Sequence, residues 1–163
     1  TLDYTHNGKS LICVNTQRAN DLLEEAILNE KAPFSSILLK REDKLNDKTR
    51  LDFSFGTPKQ YIEVKSVTMK HPSGQSTFPD SVTARGTRHL EELILLQKKG
   101  VQTHLVFVVL RQDVTGFVAE KDCDPVYDKT LKKAVENNVK VWLFYSRLTL
   151  SEMTLSRFEE WKG

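Results

Sequence analysis

Two short runs of alternating apolar and polar residues constrain the fold of this chain most, because together they predict a β-hairpin of known register. Residues 51–55 (LDFSF) and 62–65 (IEVK) both show the period-2 pattern of half-buried strands. Residues 56–59 (GTPK) between them have the composition of a tight turn. The two strands are therefore expected to pair antiparallel around a turn centred between residues 57 and 58.

This register brings charged side chains together. It pairs Phe55 with Gln60, and therefore Asp52 directly with Glu63, on one face of the hairpin. Opposed residues hold their Cβ atoms about 4.5–5.5 Å apart, where like charges repel. Lys65 lies two residues further along and shares that face. A divalent cation would turn the repulsion into coordination, since Mg²⁺ is usually held by one or two carboxylates plus waters and substrate phosphates. The alternative is a hairpin with an ordinary charged outer face.

Asp, a gap and then Glu-x-Lys resembles the metal-and-lysine core of the PD-(D/E)xK nucleases, and further motifs extend the resemblance to one family. In order and spacing these motifs are similar to the sugar fermentation stimulation protein A (SfsA) family, from about residue 11 to about residue 155. The motifs are Val14-Asn15-Thr16, Ala19-Asn20, Glu25-Ala26-Ile27, Arg50-Leu51-Asp52-Phe53, Glu63-Val64-Lys65, the run from Phe78 to Leu90, and Asp124-Pro125-Val126-Tyr127. The run from Phe78 to Leu90 is the most specific of them.

The resemblance implies a fold. Members of the family carry a restriction-endonuclease-like (PD-(D/E)xK) domain, a mixed β-sheet flanked by helices, here expected over residues 16–163. Members usually also carry an N-terminal OB-type barrel, of which only the last strand, around residues 2–14, can be present. Residues 1–15 are therefore expected to be a remnant of that domain or a linking strand.

The resemblance also implies metal-assisted phosphodiester hydrolysis with Mg²⁺ or Mn²⁺. Asp52 and Glu63, with the Val64 carbonyl, would hold the ion, which lowers the pKa of a bound water and neutralises charge on the phosphate. Lys65 would either orient the water or stabilise the transition state; the sequence does not separate these roles.

A further acid is expected from the first helix. Glu25 occupies the position that supplies it in related nucleases, where it completes the first metal site or recruits a second ion. Helical geometry does not select Glu25, because Glu24 and Glu25 flank the apolar stripe about equally at 100° per residue. Only the Glu-Ala-Ile resemblance does.

Phosphate contacts are expected near the start of the second helix. Arg85, Arg88 and His89 lie there, and Lys70 follows the strand of Glu63. The positive end of the helix dipole would assist binding of phosphate beside the metal. The alternative is a solvated first helical turn.

The protein is therefore expected to be a DNA-binding, divalent-metal-dependent nuclease. The alternative function is that of a DNA-binding or regulatory protein that keeps the fold without turnover. RNA as the substrate stays open. The net charge of +2 is too small to imply nucleic acid, so only local clustering of cations can do so. Two cysteines are too few for a disulfide framework, and no apolar run is long enough for a bilayer, which favours a cytoplasmic protein.

Helical and strand patterns alternate along the rest of the chain. A fully buried strand at 104–110 followed by helix and strand favours parallel pairing in a mixed sheet. Gly100 is the expected stop of the second helix. Strands are predicted at 11–14, 36–40, 104–110 and 139–145, helices at 16–29, 82–99 and 125–137, a charged turn at 41–48, a long loop at 68–80, and a small strand and helix after residue 151.

Overall fold

The computed structural model describes residues 4–6, 8, 10–149 and 151–163. Three helices and eleven strands make up this part of the chain. The helices are α1 (Arg18–Leu28), α2 (Ala84–Lys98) and α3 (Pro125–Glu136). The strands are β1 (Tyr4–His6), β2 (Leu11–Cys13), β3 (Lys40–Lys44), β4 (Arg50–Phe55), β5 (Gln60–Val67), β6 (Met69–Lys70), β7 (Ser76–Phe78), β8 (Thr103–Val109), β9 (Phe117–Ala119), β10 (Lys140–Leu148) and β11 (Met153–Trp161).

A six-stranded mixed sheet organises the fold, with strand order β11-β10-β8-β5-β4-β3. Its central strands β5, β8 and β10 are parallel, and β4, β3 and β11 add to the two sides antiparallel. All seven residues of β8 are buried, because this strand has a neighbour on each side and helices over each face. This confirms the mixed α/β sheet and the parallel pairing expected from the apolar run at 104–110.

Two hydrophobic clusters cover the two faces of the sheet. One face packs against α1 and includes Phe53, Ile62 and Val64. The opposite face packs against α2 and α3 and includes Val67 and Leu105. Each helix buries one apolar stripe, as amphipathic helices do when they cover a sheet.

The ends of α2 and α3 are defined by side-chain caps. Thr83 accepts a hydrogen bond from the Gly86 N–H at 3.1 Å, and Asp124 accepts one from the Tyr127 N–H at 2.9 Å. The other carboxylate oxygen of Asp124 accepts from the Thr83 N–H at 2.8 Å, so it ties the starts of both helices together. Gly100, with a φ of +80°, follows the end of α2 as predicted.

Four predicted segments are wrong in whole or in part, each because its pattern is too short or too polar to be periodic. Residues 36–39 form a turn in which Leu38 has a φ of +54°, and the strand begins at Lys40. β3 reads Lys-Arg-Glu-Asp-Lys, a charged edge strand inside the predicted turn. The predicted loop at 68–80 contains β6 and β7, which form a small sheet with β9. Residues 151–163 form β11 and contain no helix.

The N-terminal segment forms a small antiparallel pair, β1 with β2. Residues 1–3, 7 and 9 of the expected 1–15 unit lie outside the described residues. In the part of the chain that is described, no helix is long and apolar enough to cross a bilayer.

Candidate metal centre

The hairpin register agrees with the prediction, but the ladder is shorter than predicted. Phe55 pairs with Gln60 and Phe53 with Ile62, and the pairing of β4 with β5 ends there. Asp52 and Glu63 are therefore not a ladder pair, which corrects the sequence prediction. Leu51 packs in the core under α2 and α3, whereas Phe53 packs under α1. The regular alternation of side chains between the two faces of the sheet is therefore interrupted in β4 at Asp52.

Asp52 lies where the two strands separate, and its side chain replaces the missing ladder contact. One carboxylate oxygen (Oδ2) accepts a hydrogen bond from the Val64 N–H at 2.7 Å, and the other (Oδ1) accepts one from the Asn20 amide at 3.0 Å. Burial, followed by the negative charge of Glu63, raises the pKa of Asp52 to about 6. The two carboxylates are therefore close enough to repel one another.

Glu63 is almost completely buried on the face of β5 that α2 covers. Its Oε1 atom accepts from the Lys65 ammonium at 2.5 Å and contacts His89 Nδ1. Its Oε2 atom is buried and has no hydrogen-bond partner among the described residues. Burial alone would raise the pKa of Glu63, but the contact with His89 and the charge of Lys65 hold this pKa below its usual value.

This arrangement fits a divalent cation. Buried polar oxygens normally have partners, and an orphaned carboxylate oxygen beside a second carboxylate is satisfied when a hard cation binds both. Within the described residues no group of three or more His, Cys, Asp and Glu side chains is placed to hold an ion. The available protein ligands are therefore two carboxylates and neighbouring backbone carbonyls such as that of Val64.

The structure does not bring Glu25 to this centre. Its side chain is exposed and lies beside Thr154 and Leu155 of β11. On a helix Glu25 is rotated about 140° from Asn20, the α1 residue that contacts Asp52, whereas Glu24 is rotated only about 40°. Glu24 therefore points closer to the direction of Asn20 than Glu25 does, and it forms an ion pair with Arg41 at 3.1 Å.

The residues expected to contact phosphate differ in their exposure and in their ion pairs. His89 is buried against Glu63, so it supports the acid rather than facing solvent. Arg85 and Arg88 are exposed on α2 and have no ion pair within the described part of the chain. Lys70, on β6, lies 3.4 Å from Asp113.

Sequence reasoning missed the roles of Asn20 and Tyr127. Asn20 is a poor helix former inside α1, a signal that its side chain has a partner elsewhere. Tyr127 is fully buried, its hydroxyl has no hydrogen-bond partner among the described residues, and burial and the charge of Glu63 raise its pKa. No sequence signal distinguishes this hydroxyl from that of a Tyr at the surface.

Comparison with known proteins shows close relatives. The family described as sugar fermentation stimulation protein RE domain matches residues 17–152. A sugar fermentation stimulation protein homolog of Desulfotalea psychrophila is 35% identical, over 95% of this chain and 67% of that protein. A homolog of the same name from Pseudomonas savastanoi pv. phaseolicola is 38% identical, over 90% of this chain and 65% of that protein.

A solved structure is also similar. The structure of Pyrococcus furiosus SfsA in complex with Ca²⁺ matches with a TM-score of 0.82 and 26% identity, over 94% of this chain and 68% of that one. The chain thus spans about two thirds of the length of these relatives.

Proposed function

The chain belongs to the sugar fermentation stimulation protein family, and on that premise we propose that it binds DNA and hydrolyses phosphodiester bonds with Mg²⁺ or Mn²⁺. The proposal assigns residues 16–163 to a PD-(D/E)xK nuclease-like domain of a cytoplasmic protein. It assigns residues 1–15 to the remnant of an OB-type domain or to a linking strand.

The separation of β4 from β5 at two repelling carboxylates is the observation that carries this proposal. Stability alone does not require Asp52 next to Glu63, because burying two acids beside the single ammonium of Lys65 is costly. The orphaned Glu63 oxygen adds to that cost. The Ca²⁺ bound by the similar P. furiosus protein supports a divalent cation here.

The residues of this chain divide the work of the proposed site. Asp52, Glu63 and the Val64 carbonyl would hold the ion, which supplies an acidified water and neutralises charge on the phosphate. Asn20 and the Val64 N–H orient the Asp52 carboxylate, and His89 orients that of Glu63. Glu25 has no part in this version of the site because it lies on the other side of α1.

Lys65 supplies positive charge next to the ion. Its ammonium bonds to Glu63 at 2.5 Å and its side chain is only 15% exposed, so it is held in place rather than solvated. From there it can orient the attacking water or stabilise charge in the transition state. Arg85 and Arg88, exposed and without ion pairs among the described residues, would bind the substrate backbone.

The direct test is incubation of purified protein with single-stranded, duplex and branched DNA and with RNA, in Mg²⁺, Mn²⁺ or EDTA. Cleavage in the presence of either ion, absent in EDTA and in the Lys65→Ala variant, is the expected result. Binding of DNA without cleavage of any substrate would instead favour the rival, a DNA-binding protein without turnover. Cleavage of RNA alone would change the substrate and keep the chemistry.

A further inference from the structure

A second cationic feature lies at the carboxyl end of the parallel strands, away from Asp52 and Glu63. A groove of about 330 Å³ opens there. Three arginines, Arg111, Arg147 and Arg157, line it together with Gln112, Tyr145 and other residues, and no acidic residue is among its lining. We call it the arginine groove. Ligands of open α/β sheets typically bind outside the carboxyl ends of the strands.

Arg111 forms the fixed wall of the arginine groove. Its guanidinium donates to both carboxylate oxygens of Asp113 at 2.8 and 2.9 Å, and to the Thr68 carbonyl at 2.7 Å. Asp113 also pairs with Lys70. This acid is therefore shared between two cations, and its charge does not cancel those of the other arginines in the groove.

Arg147 and Arg157 provide the available donors. Arg147 is exposed and makes no ion pair with any residue that the structure describes. The Arg157 guanidinium lies 3.5 Å from the centroid of the Tyr145 ring and 3.6 Å from Glu159, and its side chain is 52% exposed. Stacking on Tyr145 holds the planar guanidinium in one orientation, so little entropy is lost when it binds an anion.

The arginine groove is aligned with the end of β5 through residues that pair across neighbouring strands of the sheet. Val67 is opposite Val109, Val109 is opposite Tyr145, and Tyr145 is opposite Arg157. The Arg157 backbone is therefore displaced from that of Lys65 by about 7 Å along the strands and by about 14 Å across them, which is three strand spacings. A stacked nucleic-acid strand rises roughly 3.4 Å per nucleotide along its axis, so it covers this distance in about five nucleotides.

We propose that the arginine groove binds a backbone phosphate about five nucleotides from the phosphate held at Asp52 and Glu63, on the same nucleic-acid strand. This inference rests on the proposed function, because that function places the nucleic-acid strand at Asp52 and Glu63. Arginine suits this role because its planar fork of donors matches a phosphate and does not depend on the base sequence.

The test measures binding of fluorescent single-stranded DNA by anisotropy as a function of salt concentration, in Mn²⁺ and with Lys65→Ala in every protein to prevent cleavage. Arg147→Ala and Arg147→Ala/Arg157→Ala are compared with Lys129→Ala/Lys133→Ala, which removes two exposed cations of α3. A 24-nucleotide strand should bind the arginine variants roughly three- to ten-fold more weakly, with the log–log salt slope reduced by about 0.7 for the lost phosphate contact. The lysine control should retain the wild-type slope.

Strand length supplies the second criterion. A 4-nucleotide strand is too short to span both sites, so the arginine substitutions should weaken its binding much less than that of the 24-nucleotide strand. Equal weakening of the 4- and 24-nucleotide strands, or an unchanged slope in the Arg147→Ala variant, would overturn the proposal. Arg147 has no ion pair among the described residues, so its replacement leaves the fold intact, and an unchanged melting temperature checks this.

The two proposals fail separately. Wild-type protein that cleaves DNA while the arginine variants keep full affinity would refute the arginine groove alone. Suppose that the wild-type protein cleaves nothing and that the salt slope of the arginine variants is reduced as predicted. This result would refute the nuclease and leave the arginine groove as a phosphate site. Absence of any nucleic-acid binding at low salt would refute both.

Discussion

Asp43 and Asp52 are aspartates on neighbouring strands of one sheet, and they differ in their charged neighbours. The Asp43 carboxylate bonds to Lys40 at 2.6 Å and also pairs with Lys59. Burial alone would raise the pKa of Asp43, but these lysines hold it well below its usual value. Burial, followed by the negative charge of Glu63, raises the pKa of Asp52 to about 6, and the nearby Lys65 only partly opposes this shift.

This difference separates a structural acid from a binding acid. Asp43 is neutralised within the fold and needs no ligand. Asp52 and Glu63 leave an unbalanced negative charge and an unpartnered oxygen, which a cation can balance. Opposite responses to the same Asp-to-Asn change are therefore expected at the two positions.

The largest expected difference is in activity. Asp52→Asn and Glu63→Gln should each lower the rate of Mn²⁺-dependent DNA cleavage by at least about 100-fold, because each removes a proposed ligand of the ion that would neutralise the transition state. Asp43→Asn should cleave at nearly the wild-type rate once its folded fraction is taken into account. Single-turnover assays on gels measure all three rates, and comparable losses at Asp43 and Asp52 would remove the distinction between them.

The next effect is on stability at Asp43. Asp43→Asn should lower the free energy of unfolding by about 1–3 kcal/mol at pH 7, the usual range for hydrogen bonds to a charged group. Because the pKa of Asp43 is lowered in the fold, its contribution is present above the ordinary value of 3.8 and is lost as the pH falls below it. Urea titrations at pH 7 and pH 3 should therefore show a smaller difference between variant and wild type at pH 3.

At Asp52 the sign should reverse. In EDTA at pH 8, Asp52→Asn should raise the free energy of unfolding by about 1–2 kcal/mol, since it removes a buried charge that Glu63 also repels. A raised pKa means that the stabilisation of the protonated wild type is complete below 3.8 and is lost as the pH rises through about 6. The gain from the substitution should therefore shrink between pH 8 and pH 5. A larger gain at pH 5 would contradict the raised pKa of Asp52.

The smallest effect is expected at Tyr127, whose buried hydroxyl is near the charge of Glu63. Tyr127→Phe keeps the ring against Gly86 and Phe78 and removes a hydroxyl that has no partner among the described residues. The free energy of unfolding should stay the same or rise by up to about 1 kcal/mol. Thermal unfolding in EDTA measures it. A clear decrease would reveal a hidden partner, such as a buried water that joins Tyr127 to Glu63.

The positions of the strongest elements and of the hairpin that carries Asp52, Glu63 and Lys65 could be predicted from the sequence. The apolar run at 104–110 predicted a central parallel strand, and the alternation on either side of residues 56–59 predicted the pairing of Phe55 with Gln60; both are confirmed. These are local properties, because burial on both faces and side-chain period follow from the residues themselves. The charged strand β3 and the short strands β6, β7 and β9 have no such local pattern.

The arrangement of the site was decided by the tertiary structure. The sequence alone put Asp52, Glu63 and Lys65 on one hairpin, and residue types with period-2 spacing suffice for that. It did not determine where β4 separates from β5, because that point depends on Asn20 of α1 and on the packing of Leu51 and Phe53 under different helices. Choices between residues of one type, such as Glu24 and Glu25 or Asp43 and Asp52, depend on contacts between segments distant in the chain, and only the folded chain makes those contacts.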